Sequence, residues 1–146
     1  MKETPRSSPF DTPCLCSSLR QATRMVTRAY DDALRPVNLR VTQFSVLGTL
    51  AAAGEARVRD LSERLLLEET TLIRSLRPLE QQGWVQIRAG EDRRERYVSI
   101  TKAGRQLLER ASPLWQGAQE RLRERLSDPT WHALFRMLPK VAGAFS

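Results

Sequence analysis

Three leucines at helical spacing constrain this chain most: Leu72, Leu76 and Leu79. They turn one side of a helix over about Glu69–Gln82 toward a core. Thr70, Arg74, Arg77 and Gln81 fall on the opposite side of an ideal wheel. Gly83 supplies a stop. Two alternating stretches follow at once, Trp84 to Ala89 and Glu95 to Thr101, with a turn around Gly90 to Arg94, and read as a two-stranded hairpin. A partner helix precedes, with Leu61 and Leu65 inward and Asp60 near its start, where an acid suits the dipole. Leu66 and Leu67 lead into the turn between the two helices. A helix with a small, polar, basic outer face, braced by a second helix and followed by a basic hairpin, suits a DNA groove.

Charge supports an anionic partner only through its placement. The 146 residues carry 24 basic and 17 acidic side chains, net +7. Residues 57–101 hold 9 basic and 8 acidic groups, only +1, whereas residues 102–146 hold +4 and residues 1–45 hold +3. A positive surface on the central stretch therefore requires sorting, with Arg74, Arg77, Arg93, Arg94 and Arg96 outward and the acids elsewhere.

The flanks read as helices. Pro5 and Pro9 mark residues 1–11 as a mobile arm. Thr12 and Pro13 give a capping hydroxyl and a proline at the first helical position. Leu15, Leu19, Ala22, Val26, Ala29 or Tyr30, and Ala33 then form an apolar face, and Pro36 ends the helix. Arg20, Arg24 and Arg28 lie on another side as a solvated stripe. Thr42 is expected to cap a second helix with Phe44, Leu47, Leu50 and Ala51 inward and Gly54 at its end; a short link then reaches Val58. Beyond the hairpin, Lys102 opens a long helix with a stripe of Ala103, Leu107, Ala111, Leu114 or Trp115, Ala118, Leu122 and Leu126, kinked at Pro113. Ser127 or Asp128 and Pro129 restart a final helix to about Ala144, with Trp131, Leu134, Phe135, Leu138 and Val141 on one face. These outer helices are more apolar than one small module needs to bury, which predicts packing against a second copy.

The function classes narrow accordingly. No apolar run reaches membrane-spanning length and no signal peptide is evident, so a cytoplasmic protein without a membrane role is expected. No nucleophile-elbow string, phosphate-binding glycine loop or histidine cluster is present, so an enzyme is not expected, and no cofactor is. His132 is the one histidine and reads as an ordinary helix residue, so no metal site is expected. Cys14 and Cys16 are no disulfide framework. Two apart on a helix, they point about 200° away from each other. Cys14 in the first turn would have its thiol pKa lowered by the dipole, so a disulfide between subunits or a sulfenic acid is the redox product to expect; small apolar core filler is the alternative. Tyr30, Phe44 and Trp115 are candidate linings of an effector pocket between the outer helices and the central module, or plain core.

The order of elements and several strings carry a family likeness. Thr42-Gln43-Phe44-Ser45-Val46-Leu47, Asp60-Leu61-Ser62-Glu63-Arg64-Leu65, Thr70 through Glu80, Asp92-Arg93-Arg94, and Val98-Ser99-Ile100-Thr101-Lys102-Ala103-Gly104 together resemble the MarR family of bacterial transcription regulators, from about Cys14 to Ala144. The resemblance implies a mainly α fold with a small β-wing. A winged helix-turn-helix DNA-binding region would span residues 37–101, with a helical dimerisation region at 12–36 and 102–146. It implies a homodimer on a palindromic operator of double-stranded DNA, usually repressing, and released by a small aromatic effector or by cysteine oxidation. Carried over, Thr70, Thr71, Arg74 and Ser75 would meet the major groove. Arg94 would enter the minor groove with Asp92 orienting it, and Arg77, Arg93 and Arg96 would serve the same interface. Leu66 departs from the family at a position where a turn glycine is common, and so do Glu68 and Glu69, where an aspartate cap and a basic residue occur.

Overall fold

The computed structural model describes residues 13–144. Helix α1 (Leu15–Leu34) runs into a 3₁₀ turn (Arg35–Val37), and α2 (Val41–Ala53) follows. A short strand β1 (Glu55–Arg57) leads directly into α3 (Val58–Leu65) and then α4 (Glu69–Gln81). Strands β2 (Val85–Ala89) and β3 (Arg96–Ile100) form the hairpin, and α5 (Lys102–Leu126) and α6 (Asp128–Gly143) close the chain. Among the described residues no helix is long and apolar enough to cross a membrane.

The core follows the leucine pattern. Leu72, Leu76 and Leu79 of α4 are fully buried with Leu61 of α3, Leu47 and Leu50 of α2, Val98 of β3 and Leu107 of α5. Burying side chains of this size is worth about 1.5–3 kcal/mol each, so α4 is held by its inner side while its outer side stays free. Leu66 closes α3 in the left-handed region, at φ 52°, the conformation that a glycine adopts at least cost. Gly83 adopts φ 73° at the exit from α4.

Several local expectations are corrected. The hairpin is part of a three-stranded antiparallel sheet of order β1-β3-β2, with Arg57 opposite Tyr97 on one side and Arg88 opposite it on the other. The link before Val58 is thus a strand, made by its pairing to β3 rather than by any preference of Glu-Ala-Arg. Helix α2 begins one residue before Thr42, and Arg40 is its N-cap. Its entry is secured instead by Asp31 of α1, whose carboxylate accepts from the Val41 N–H at 2.8 Å, and by Gln43, which accepts from the Arg40 N–H at 3.0 Å. Helix α1 begins at Leu15 with Cys14 as N-cap, so Pro13 precedes the helix; Thr12 and the arm at 1–11 lie outside the described residues. In α5 the buried first-turn residue is Gly104, and Ala103 is exposed. As expected, α5 continues past Pro113, and α4 likewise continues past Pro78.

Candidate nucleic-acid interface

Helix α4 presents its outer side to solvent. Thr70, Thr71, Arg74, Arg77 and Gln81 are exposed, while Ser75 is half-buried and its hydroxyl donates to the Leu72 carbonyl at 2.7 Å. The wing tip is a tight loop. The Gly90 N–H donates to the Glu95 carbonyl at 2.8 Å, and the Glu95 N–H donates to the Asp92 carbonyl at 2.9 Å. Asp92 accepts from the backbone N–H of Arg94 at 3.0 Å. Asp92 therefore fixes the loop backbone from which Arg94 projects, rather than holding its guanidinium. Arg93, Arg94 and Arg96 are exposed. Between the start of α4 and the wing lies an open cleft of about 360 Å³ lined by Glu69, Ile73, Arg94 and Arg96 among others.

Ion pairing takes up part of the nearly balanced charge. Arg88 makes a two-pronged contact to Glu55, at 2.9 and 2.5 Å, which holds the Glu55 carboxyl below its ordinary range. Arg57 pairs with Glu95 at 3.2 Å and Arg59 with Glu63 at 3.3 Å. Among the described residues, Arg74, Arg77, Arg93, Arg94 and Arg96 form no ion pair. Three acids thus neutralise three arginines, and among the described residues five arginines on α4 and the wing remain without ion pairs, as do four acids on the same elements, Glu69, Glu80, Glu91 and Asp92. Glu69 and Asp92 line the same cleft, so the separation is incomplete there. Sequence reasoning missed the neutralised arginines, because which acid meets which arginine depends on cross-strand register.

The remaining candidates lie away from this surface. Tyr30, Phe44 and Trp115 do come together: the Trp115 ring stacks on Phe44 at 5.5 Å and on Tyr30 at 6.4 Å between centroids. The Tyr30 hydroxyl donates to Gln119, and burial pushes its pKa up. These rings occupy one another's space. Cys14 and Cys16 are both exposed, free thiols. Cys14 stands just before the first turn of α1, where the backbone N–H and hydroxyl of Ser17 lower its thiol pKa.

Comparison with known proteins places the chain in a family. A profile of the MarR family matches residues 37–95, from the end of the 3₁₀ turn to the wing tip, stopping just before β3. An uncharacterised HTH-type transcriptional regulator of Bacillus subtilis, YwoH, is 32% identical over 84% of this chain and 92% of its own length. The organic hydroperoxide resistance transcriptional regulator of the same organism is 33% identical over 66% of this chain and 67% of its own. Among solved structures, the Mycobacterium tuberculosis transcriptional regulator MosR in complex with DNA superposes with a TM-score of 0.79. It is 35% identical, over 90% of this chain and 98% of that one. The superposition thus runs along nearly the whole length of that solved chain. The chain belongs to the MarR family of transcriptional regulators.

Proposed function

We propose that this protein is a repressor that acts in the cytoplasm by binding a palindromic double-stranded DNA operator as a homodimer. The observation that carries this reading is the set of five arginines on α4 and the wing left without acidic partners among the described residues, beside a leucine-anchored helix. Thr70, Thr71, Arg74 and Ser75 meet base edges in the major groove. Arg77, Arg93, Arg94 and Arg96 follow the backbone and the minor groove, with Asp92 shaping the wing tip. Solved relatives support the partner: MosR is in complex with DNA, and the transcriptional repressor CouR is bound to a 23-mer DNA duplex, at 29% identity and a TM-score of 0.79 over 88% of this chain and 92% of that one. The test is anisotropy titration of a duplex from upstream of the protein's own gene. Affinity should fall linearly with salt on logarithmic axes with a slope of about −5 or steeper, as counterions leave the phosphates. A flat salt response contradicts the reading.

The apolar outer helices support the homodimer. Helix α6 has no buried residue, and Phe135 is 58% and Met137 60% exposed, as are Leu15 and Met25 of α1 at 60% and 62%. A second copy covering them removes the exposed patch. Phe135→Asp is expected to shift sedimentation from twice the chain mass toward the chain mass. An unchanged dimer contradicts this assignment.

Release of DNA has two routes. A small aromatic effector would have to part the Tyr30–Trp115–Phe44 stack, whereas oxidation of Cys14 needs no rearrangement. The second route is therefore the better supported. The Cys14 thiolate attacks an organic hydroperoxide, the O–O bond breaks, sulfur takes one oxygen as sulfenic acid, and the alkoxide leaves as the alcohol after protonation. Its site is the start of α1, a helix packed on α5, which starts where the wing ends. Hydroperoxide should release wild-type protein from the duplex and leave Cys14→Ser bound. Equal release of both contradicts the thiol route.

A further inference from the structure

We infer that Tyr97 is a positioning residue for the wing: its ring, in contact with the guanidinium groups of Arg57 and Arg88, sets the stance of the tip arginines toward the DNA backbone without touching DNA. This rests on the duplex-binding reading above.

Tyr97 lies on the central strand β3, opposite Arg57 on β1 and Arg88 on β2, so one ring links all three strands. The Arg88 guanidinium stands 4.4 Å from the ring centroid and that of Arg57 5.7 Å, both within cation–π range. Arg57 Nε also donates to the Tyr97 hydroxyl at 3.0 Å, and that hydroxyl donates to Glu95 at 3.3 Å. Each end of this clamp is anchored to a functional element. Arg57 is the N-cap residue of α3, the helix that packs against α4. Glu95 closes the wing-tip loop through its backbone bonds to Gly90 and Asp92. The tip rests on the ring itself: a Cβ at Gly90 would stand 2.9 Å from Tyr97 Cε2.

Beyond this ring the ribbon is held by exposed ion pairs, Arg57–Glu95 and Arg88–Glu55, rather than by buried side chains. Val98 is the last buried residue of β3 toward the tip, and Arg88, Ala89 and Arg96 are exposed. A two-stranded ribbon twists readily when nothing packs on it. Losing the clamp therefore frees the angle between wing and α4, while the core beneath stays intact.

The test is a double-mutant cycle on a duplex that the wild-type protein selects from a randomised pool. Tyr97→Leu is expected to weaken binding about tenfold and to flatten the salt slope, whereas Tyr97→Phe, which keeps the ring, stays within about threefold. In an Arg93→Ala/Arg94→Ala/Arg96→Ala background, Tyr97→Leu should have no further effect, because its influence passes through those side chains. A full additive loss in that background, or no loss in the wild-type background, overturns the positioning role. Should Tyr97→Leu melt below the assay temperature, Gly90→Ala enters the same cycle, since it displaces the tip from the ring. Failure of the wild-type protein to select any duplex sinks the DNA reading itself, and the positioning role with it.

Discussion

Arg74→Glu is expected to abolish specific duplex binding while leaving the fold intact. Arg74 sits in the exposed middle of α4 with no ion pair among the described residues, two positions from each of the buried Leu72 and Leu76 that hold the helix in place. A bidentate arginine–guanine contact is worth about 1–3 kcal/mol of discrimination, and two protomers on one operator double it. The loss would be roughly 30-fold to 10⁴-fold, increased by the repulsion of the new carboxylate from the phosphates. Arg74→Lys keeps the charge but loses the planar fork, so it should retain non-specific affinity and lose most discrimination between operator and random duplex. An exposed substitution with no partner to break changes stability by about 0.5 kcal/mol or less, so thermal melts should overlay. Anisotropy titration reads the affinity. A folded Arg74→Glu protein that binds as tightly as wild type would leave the wing and α4 serving a protein partner instead.

Gly104→Ala is expected to be the most destabilising single methyl in the module. In most helix interiors this exchange stabilises by about 0.5–1 kcal/mol, so its sign is diagnostic. Here the added Cβ would stand 2.1 Å from the Trp84 carbonyl oxygen, 3.0 Å from its carbon and 2.8 Å from Ile100 Cγ1. The obstacle is backbone, and it is tied down. The Trp84 N–H donates to the Leu79 carbonyl at 2.9 Å, and the Thr101 N–H donates to the Trp84 carbonyl at 3.0 Å. The Thr101 hydroxyl donates to the Gly83 carbonyl at 2.6 Å and accepts from the Gly104 N–H at 3.1 Å. The end of α4, the start of the wing and the first turn of α5 meet in this knot. Overpacking costs about 1–3 kcal/mol and loss of the cap about 1 more, a fall in Tm of roughly 10 °C or greater. An unchanged or raised Tm would show that α5 shifts freely against the wing.

The parts legible in the sequence are those written in local spacing. Leu72, Leu76 and Leu79, the stop at Gly83, and the alternation in Trp84–Ala89 and Glu95–Thr101 each act within one element, and the periodicity rule reads them directly. The strand Glu55–Arg57 was not legible, since three residues of mixed polarity become a strand only by pairing with β3. The start of α2 misled for a similar reason: Thr42 is a good capping residue, but Asp31, ten positions before Val41, supplies the acceptor. The charge sum of residues 57–101 gives almost no excess, and the pairing of Arg88 with Glu55 and Arg57 with Glu95 adds none; what register decides is which arginines stay unpaired, those of α4 and the wing among them. The family string Thr101-Lys102-Ala103-Gly104 located Gly104, although the apolar stripe pointed to Ala103; only the approach of Trp84 explains why a side chain is excluded there.

The central claim is that two copies of α4 enter successive grooves of one duplex. It is tested most directly by an iron-chelate cleaver attached to Thr71→Cys in a Cys14→Ser/Cys16→Ser background, bound to the selected duplex. The account predicts two mirror-related cleavage sites in the major groove, roughly one helical turn or ~10 base pairs apart. Cleavage spread evenly along the duplex, or confined to a single site, would contradict it.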